Sequence, residues 1–219
     1  MPVVSGEIER VRRIYDDSAG RYDRQIGFCE RLLFGGGREW VCSQARGRVL
    51  EVAIGTGRNL PFYPDEVNLT GVELSLAMLE IARARARKLG VDADLRVADA
   101  QALPFPDQAF DTVVMTLSLC TIPDDHEAVV EASRVLRPGG RLVLLEHVRS
   151  PVWLVRALQR ILDPLFVRFQ ADHLLRQPLD HLEDAGLEVE LLERSKLGIV
   201  ERLSARKPQP GARNVRGVG

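Results

Sequence analysis

The run Val49-Leu50-Glu51-Val52-Ala53-Ile54-Gly55-Thr56-Gly57-Arg58-Asn59-Leu60 constrains this chain more than any other stretch. It starts as a short apolar strand carrying one acid, turns through two glycines and enters a helix. Glycine tolerates positive φ and lets a ligand approach the backbone with no Cβ in the way. A strand that ends in a glycine turn at a helix N-terminus makes a nucleotide-type cradle in an open α/β sheet.

From this turn onward the chain alternates between strand and helix. Apolar strands are expected at Val49–Val52, Asn68–Glu73, Asp94–Ala98, Phe110–Thr116 and Arg141–Val148. A short helix and the Pro61/Pro64 turn make the first crossover. The helix Leu76–Leu89 is capped by Ser75 and stopped by Gly90, and Glu127–Leu136 is capped by Asp124 or Asp125 and ended by Arg137-Pro138-Gly139-Gly140. Such alternation implies βαβ crossovers and a parallel sheet. Leu187–Glu193 and Gly198–Ala205 read as an antiparallel pair at one edge. Before the first strand, Ile8 to about Arg46 reads as two or three helices interrupted near Gly35-Gly36-Gly37. They serve either as a covering layer or as a lid. The boundaries expected are 1–46 for this helical lid, 47–206 for the core with a helical insertion at about 151–185, and 207–219 for a flexible basic tail. The cluster Arg83, Arg85, Arg87 and Lys88 reads as a solvated helix face.

Three acids have telling places. Glu51 lies within the first strand. Glu73 ends the second strand 73 − 51 = 22 positions later, where a carboxylate can accept bonds from vicinal ribose hydroxyls. Asp99, with the amide of Ala100, follows the third strand and can meet an exocyclic amine and a ring nitrogen. All three lie at the carboxyl edge, where open α/β sheets bind ligands. A dinucleotide fold would add a third glycine after Gly57, and position 60 is leucine. An acid inside the first strand suits an ammonium better than a phosphate. A nicotinamide-dependent oxidoreductase is therefore the weaker alternative.

Val-Leu-Glu-Val-Ala-Ile-Gly-Thr-Gly, Gly-Val-Glu-Leu-Ser-x-Ala-Met-Leu, Ala-Asp-Ala-x-x-Leu-Pro-Phe and Arg-Val-Leu-Arg-Pro-Gly-Gly resemble the successive motifs of class I S-adenosylmethionine-dependent methyltransferases. The nearest group is that of the ubiquinone/menaquinone methyltransferases, and the likeness runs from about Tyr22 to Val148. It implies a Rossmann-like, mostly parallel seven-stranded sheet with an antiparallel edge pair, helices on both faces and an N-terminal helical lid. It implies S-adenosylmethionine as cofactor and S-adenosylhomocysteine as product. Gly55 and Gly57 would lie against the methionine moiety and Glu51 would hold its ammonium. Glu73 would hold the ribose, Asp99 and Ala100 the adenine. Ala53, Asn59, Leu74, Met78, Thr116 and Leu117 would complete the cofactor site, closed by Tyr15 and Tyr22. Ala53 departs from the family, which most often has glycine there. A non-catalytic S-adenosylmethionine-binding protein is a further alternative.

A finer likeness joins Val113–Cys120, Leu145-Glu146-His147-Val148 and Leu162-Asp163-Pro164 to a branch with small-molecule thiol methyltransferases of the endoplasmic reticulum membrane. Bacterial phospholipid N-methyltransferases look related. The hydrophobic N-terminal anchor of the membrane branch has no counterpart in Met1–Arg13, so neither an anchor nor a signal peptide is expected.

Methyl transfer from a sulfonium needs alignment and a dry site more than acid–base help. A thiol, amine or phenol acceptor can still require a base, for which histidine is suited. His147, ending the fifth strand, and His173 are the catalytic candidates. His126 reads as a surface residue and Cys120 as a core or pocket-wall residue. Pro151–Phe169, large and apolar with Arg156, Arg160 and Arg168 interspersed, is expected to break near Asp163 because of Pro164. It reads as a wall over a hydrophobic acceptor, as packing against the sheet, or as contact with a membrane surface.

The charge balance of 30 basic and 31 acidic residues gives no case for nucleic acid as partner. Three scattered cysteines suit a reducing cytoplasm and give no zinc spacing, so no metal is expected. The expected acceptor is a small molecule, lipid-like or aromatic. No membrane span is foreseen, and peripheral membrane contact is left open, as is oligomeric state.

Overall fold

A computed structural model describes residues 2–209. Strands β1 (Arg48–Val52), β2 (Asn68–Glu73), β3 (Ala93–Val97), β4 (Phe110–Thr116), β5 (Leu136–His147), β6 (Glu188–Ser195) and β7 (Val200–Arg206) form one sheet in the order β3-β2-β1-β4-β5-β7-β6. The first five run parallel, and β7 is antiparallel to both β5 and β6. The order reverses between β1 and β4, which opens a crevice at their carboxyl ends.

Side chains alternate across a strand. Leu50 and Val52 therefore join Met115, Leu144, Ala128 and Ala132 in one core layer. Val49 faces Leu79, Ala82, Val114 and Val143 in the other. Glu51, two residues from Val49, falls on that second side and meets the ligand edge instead of the core.

The helices are α1 (Pro2–Leu33), α2 (Gly37–Ser43), α3 (Leu76–Leu89), α4 (Asp125–Val135), α5 (Trp153–Gln170) and the four-residue α6 (Leu179–Leu182). The expected caps form. Ser75 Oγ accepts from Met78 N at 3.1 Å, Asp124 accepts from Glu127 N at 3.0 Å, and Gly90 ends α3 in the left-handed region. Ser75 Oγ also donates to Asp16 of α1 at 2.6 Å.

Several expectations change. α5 continues through Pro164, which lies on its exposed side, where water can satisfy the carbonyl that proline leaves free. In the insertion expected to be helical over about 151–185, the part after α5 is helical only at α6. Its first residues are held elsewhere: His173 N donates to Cys120 O (2.9 Å) and Leu174 N to Asp163 Oδ1 (2.7 Å). β5 begins at Leu136, so Arg137–Gly140 lies in a strand with a register irregularity against β4. Only one 3₁₀ turn, Leu60–Phe62, lies between β1 and β2. Arg85 is not a solvated side chain: it pairs with Asp23 of α1. Lys207, the expected start of the tail, donates to Ser133 O (2.7 Å) and Leu136 O (2.9 Å), and residues 210–219 lie outside the described residues.

Ser75 both caps α3 and fastens α1. Ser75→Ala is expected to lower stability by about 1–2 kcal/mol, read by urea unfolding, with Ser75→Thr recovering part of the loss.

Candidate functional site

The crevice at the β1/β4 switch holds a pocket of about 820 Å³ of empty space, its open mouth included. Tyr15, Tyr22, Glu51, Ala53, Gly55, Glu73, Leu74, Met78, Asp99, Ala100, Thr116 and Leu117 all wall it. These come from α1, the first turn of α3 and the ends of four strands, so the fold gathers residues that lie about a hundred positions apart.

Glu51 is 2% exposed. Its two oxygens accept from Asn59 Nδ2 and Tyr63 Oη, each at 2.9 Å. Burial pushes its carboxyl up to about 7, against the lowering effect of those bonds and of the Arg38 charge. Among the described residues it forms no ion pair. Glu73 uses one oxygen for Gly55 N and the other for Ser75 N, both at 2.9 Å, so it binds the glycine turn to the start of α3. Burial raises its carboxyl as well. Asp99 Oδ1 accepts from the backbone and side chain of Gln101, each at 2.9 Å.

Gly55 has φ +58°, and an added Cβ would meet nothing within 4 Å, so bare backbone faces the pocket. Ala53 (φ +55°) and Leu117 (φ +52°) adopt the left-handed region without being glycine. At Ala53 this is backbone that glycine would adopt without strain.

Gly57 and Asn59 lie one layer behind the wall. A Cβ on Gly57 would sit 2.7 Å from Leu60 Cδ1 and 3.2 Å from Ala82, so this glycine lets the turn pack on α3. Asn59 is fully buried, donates to Glu51 and to Thr116 Oγ1 (3.0 Å), and accepts from Arg38 (2.8 Å). It orients Glu51.

Sequence reading missed the clamp over the turn. Asp23 of α1 accepts from Thr56 Oγ1 (2.6 Å) and pairs with Arg85 and Arg58. Glu30 of α1 pairs with Arg38 and with Arg58 (3.0 Å). Burial pushes Asp23 up, but Thr56 and Arg85 outweigh it and hold the carboxyl below its ordinary value. Tyr15 and Tyr22 pack edge to face at 6.2 Å, and Tyr15 Oη reaches Gln170 O at 3.4 Å.

Neither histidine walls the pocket. His147 Nε2 lies 2.9 Å from Asp172 Oδ1, close enough for an ion pair but out of line for a hydrogen bond. Burial pulls the imidazole down, yet the charges of Asp172 and Glu146 raise it overall. Beside it Glu146, pushed by burial to about 7, accepts from Ser118 N (2.8 Å) and Leu119 N (3.0 Å). His173 is half-buried and lowered by burial and by Arg176. His126 is half-exposed against His181. Cys120, His147 and Asp172 place three donor atoms within 4.8 Å of one another, a grouping the cysteine spacing did not suggest. Burial raises the Cys120 thiol well above its ordinary value, which disfavours the thiolate a metal would need. No residue of α5 walls the pocket.

Residues 50–144 match the family described as methyltransferase domain. Over 185 residues the chain is 30% identical to a ubiquinone/menaquinone biosynthesis C-methyltransferase of Geotalea uraniireducens, covering 74% of this chain and 77% of that one. The chain belongs to the class I S-adenosylmethionine-dependent methyltransferase family. The chain is also 43% identical over 103 residues to a phosphatidylethanolamine N-methyltransferase of Cereibacter sphaeroides, over 46% of this chain and 51% of that one. It thus spans about half the length of that relative. Its fold matches a methyltransferase structure from Thermotoga maritima with a TM-score of 0.68 at 23% identity, over 89% and 99% of the two chains.

Gly57→Ala combines left-handed backbone with overlap on Leu60 and Ala82. It is expected to cost about 2–4 kcal/mol in urea unfolding, whereas Gly55→Ala, which meets open space, is expected to cost about half as much.

Proposed function

We propose that this protein transfers a methyl group from S-adenosylmethionine to a small, hydrophobic, lipid-like acceptor. One observation carries the reading: a buried carboxylate with no ion-pair contact among the described residues, Glu51, shares a pocket with Glu73, Asp99 and the open backbone of Gly55. That donor set fits an ammonium, a ribose and an adenine. When bound, S-adenosylmethionine supplies an activated sulfonium methyl for in-line displacement. Glu51 would hold the ammonium and Glu73 the ribose hydroxyls while keeping the turn in place. Asp99 and Ala100 would meet the adenine. Tyr15 and Tyr22 would exclude water from the reacting centre. The lipid-like acceptor is supported by the relatives named for quinone and phosphatidylethanolamine methylation.

Titration calorimetry with S-adenosylhomocysteine tests the cofactor. Tight binding that falls at least about tenfold in Glu73→Ala is expected, since two charge-assisted contacts go. Binding of a nicotinamide dinucleotide instead would overturn the reading. An ammonium binds the ionised form of Glu51, so affinity should rise with pH through about 7. Between pH 5.5 and 7 the expected gain is roughly tenfold. The same slope in Glu51→Gln would remove Glu51 from the ammonium site.

For acceptors that must lose a proton, His147 beside Asp172 would receive it through a relay, because its ring nitrogens are buried and do not wall the pocket. The base must be neutral, and the charge of Asp172 raises the imidazole, so rates should climb as pH passes its raised value. With a panel of apolar thiols, amines and phenols, His147→Ala should lose about 10²–10⁴-fold in kcat. Asp172→Asn should move the acid limb to lower pH. An unchanged limb in both variants would assign the proton to another group.

A further inference from the structure

α5 is amphipathic the wrong way round for a helix of a soluble domain. Trp153, Leu154, Leu158, Ile161, Leu165 and Phe169 are each between 53% and 75% exposed. Leu154, Leu158, Ile161, Leu165 and Phe169 recur at intervals of four, three, four and four, so they form one stripe along the helix, about 22 Å long. The packed side carries Gln159 and Asp163 among the half-buried Val155, Leu162 and Phe166. Gln159 is buried, donates to Val148 O (3.0 Å) and Leu174 O (3.1 Å), and accepts from Ser150 N (2.9 Å). Asp163, the helix's acid, is engaged with Leu174 N. These bonds fix which face looks outward.

Charge identifies what that face meets. Arg160 and Arg168 lie beside the stripe and Arg156 on the half-buried side near Asp163, and among the described residues none of the three has an acidic partner. The exposed side of α5 is therefore apolar flanked by free cations, with its acid turned away. That pattern suits an anionic lipid surface, with apolar side chains at the headgroup–acyl boundary and guanidiniums at phosphates. A second copy of the chain fits less well, because an isologous pairing of the stripe would bring arginines against arginines. No helix of the described residues is long and apolar enough to cross a membrane, so α5 can only lie on one.

The stripe also ends beside the pocket. Arg10 of α1 donates to Val167 O and to Arg168 O, and Tyr15, which walls the pocket, reaches Gln170 O. We propose that α5 docks flat on an anionic membrane and holds the mouth of the cofactor pocket at the lipid surface, where an apolar acceptor partitions. The delivery of acceptor rests on the lipid-like substrate reading; the docking rests on the helix itself and needs no cofactor.

The test is co-sedimentation of the full chain with vesicles of phosphatidylcholine mixed with phosphatidylglycerol, and with vesicles of phosphatidylcholine alone. Three variants are compared: Leu158→Asp with Ile161→Asp, Arg156→Gln with Arg160→Gln and Arg168→Gln, and Leu89→Asp as an exposed apolar control on α3. The positions are exposed or half-exposed, so thermal melting and S-adenosylhomocysteine affinity should match the parent, which separates loss of docking from loss of the fold or of the cofactor site. The parent should bind mixed vesicles, more weakly at high salt and without anionic lipid. The aspartate pair should lose roughly tenfold or more, the glutamine triple should lose its salt dependence, and the control should bind like the parent. Absence of parent binding, or equal binding by the aspartate pair, overturns the proposal. So does concentration-dependent dimerisation of the parent that the aspartate pair abolishes, which would give the stripe to a second copy.

Discussion

Burying a carboxylate costs free energy unless hydrogen bonds or a countercharge replace its water, and this chain buries two side by side at the carboxyl edge of β1 and β2. Glu73 is compensated from within, by the amides of Gly55 and Ser75. Those bonds make the glycine turn and the start of α3 one rigid object. Glu51 is hydrogen-bonded only by neutral donors, Asn59 and Tyr63, and even with the Arg38 charge nearby burial leaves its carboxyl near 7. The first acid builds the cradle and the second is left needing a positive charge. A cationic ligand that meets Glu51 relieves the cost of burying it, so part of the affinity is stored in the unliganded fold.

The cradle has a cover with its own logic. α1 crosses the glycine turn and is joined to it through charge more than through packing: Asp23 and Glu30 on one side, Arg38, Arg58 and Arg85 on the other. Arg38 also donates to Asn59, which holds Glu51. The position of α1 and the orientation of the Glu51 carboxylate are thus coupled through two side chains. Partly exposed ion pairs are individually weak and can open without breaking the core. A cover held this way can let a ligand enter while its tyrosines still complete the wall when it closes.

Much of this was legible in the sequence because it is encoded locally. Apolar runs ended by glycine, serine and aspartate fixed the five parallel strands, and the spacing of Glu51, Glu73 and Asp99 located the ligand edge before any geometry. The misreadings share one cause, which is tertiary override of a local signal. Pro164 should break a helix, but its lost bond faces water. Residues 173–178 look helical, but the amides of His173 and Leu174 are taken by Cys120 and Asp163. Tyr63, Arg38 and Asp172 were invisible because each acts on a partner far along the chain, and nothing in their own neighbourhood sets them apart from surface residues. Gly57 and Asn59 were placed at the ligand because motif spacing cannot separate a wall from what supports it.

α5 shows the same limit from the other side. Its apolar residues recur with helical period, and that period is identical whether the stripe faces a core, a lid or a lipid. What decides is the opposite face. Gln159 is locked inward by three hydrogen bonds, and Asp163 is held by a backbone amide. Turning the stripe into the domain would break all four bonds and bury the flanking arginines. The cost of stranding those polar groups exceeds what the stripe would gain by packing only partly under the sheet edge. The outward apolar face is therefore enforced by the polar one, and the arginines beside it are the groups that must stay near water or phosphate. The same bonds that hold Val148 and Leu174 in place after β5 also aim the stripe.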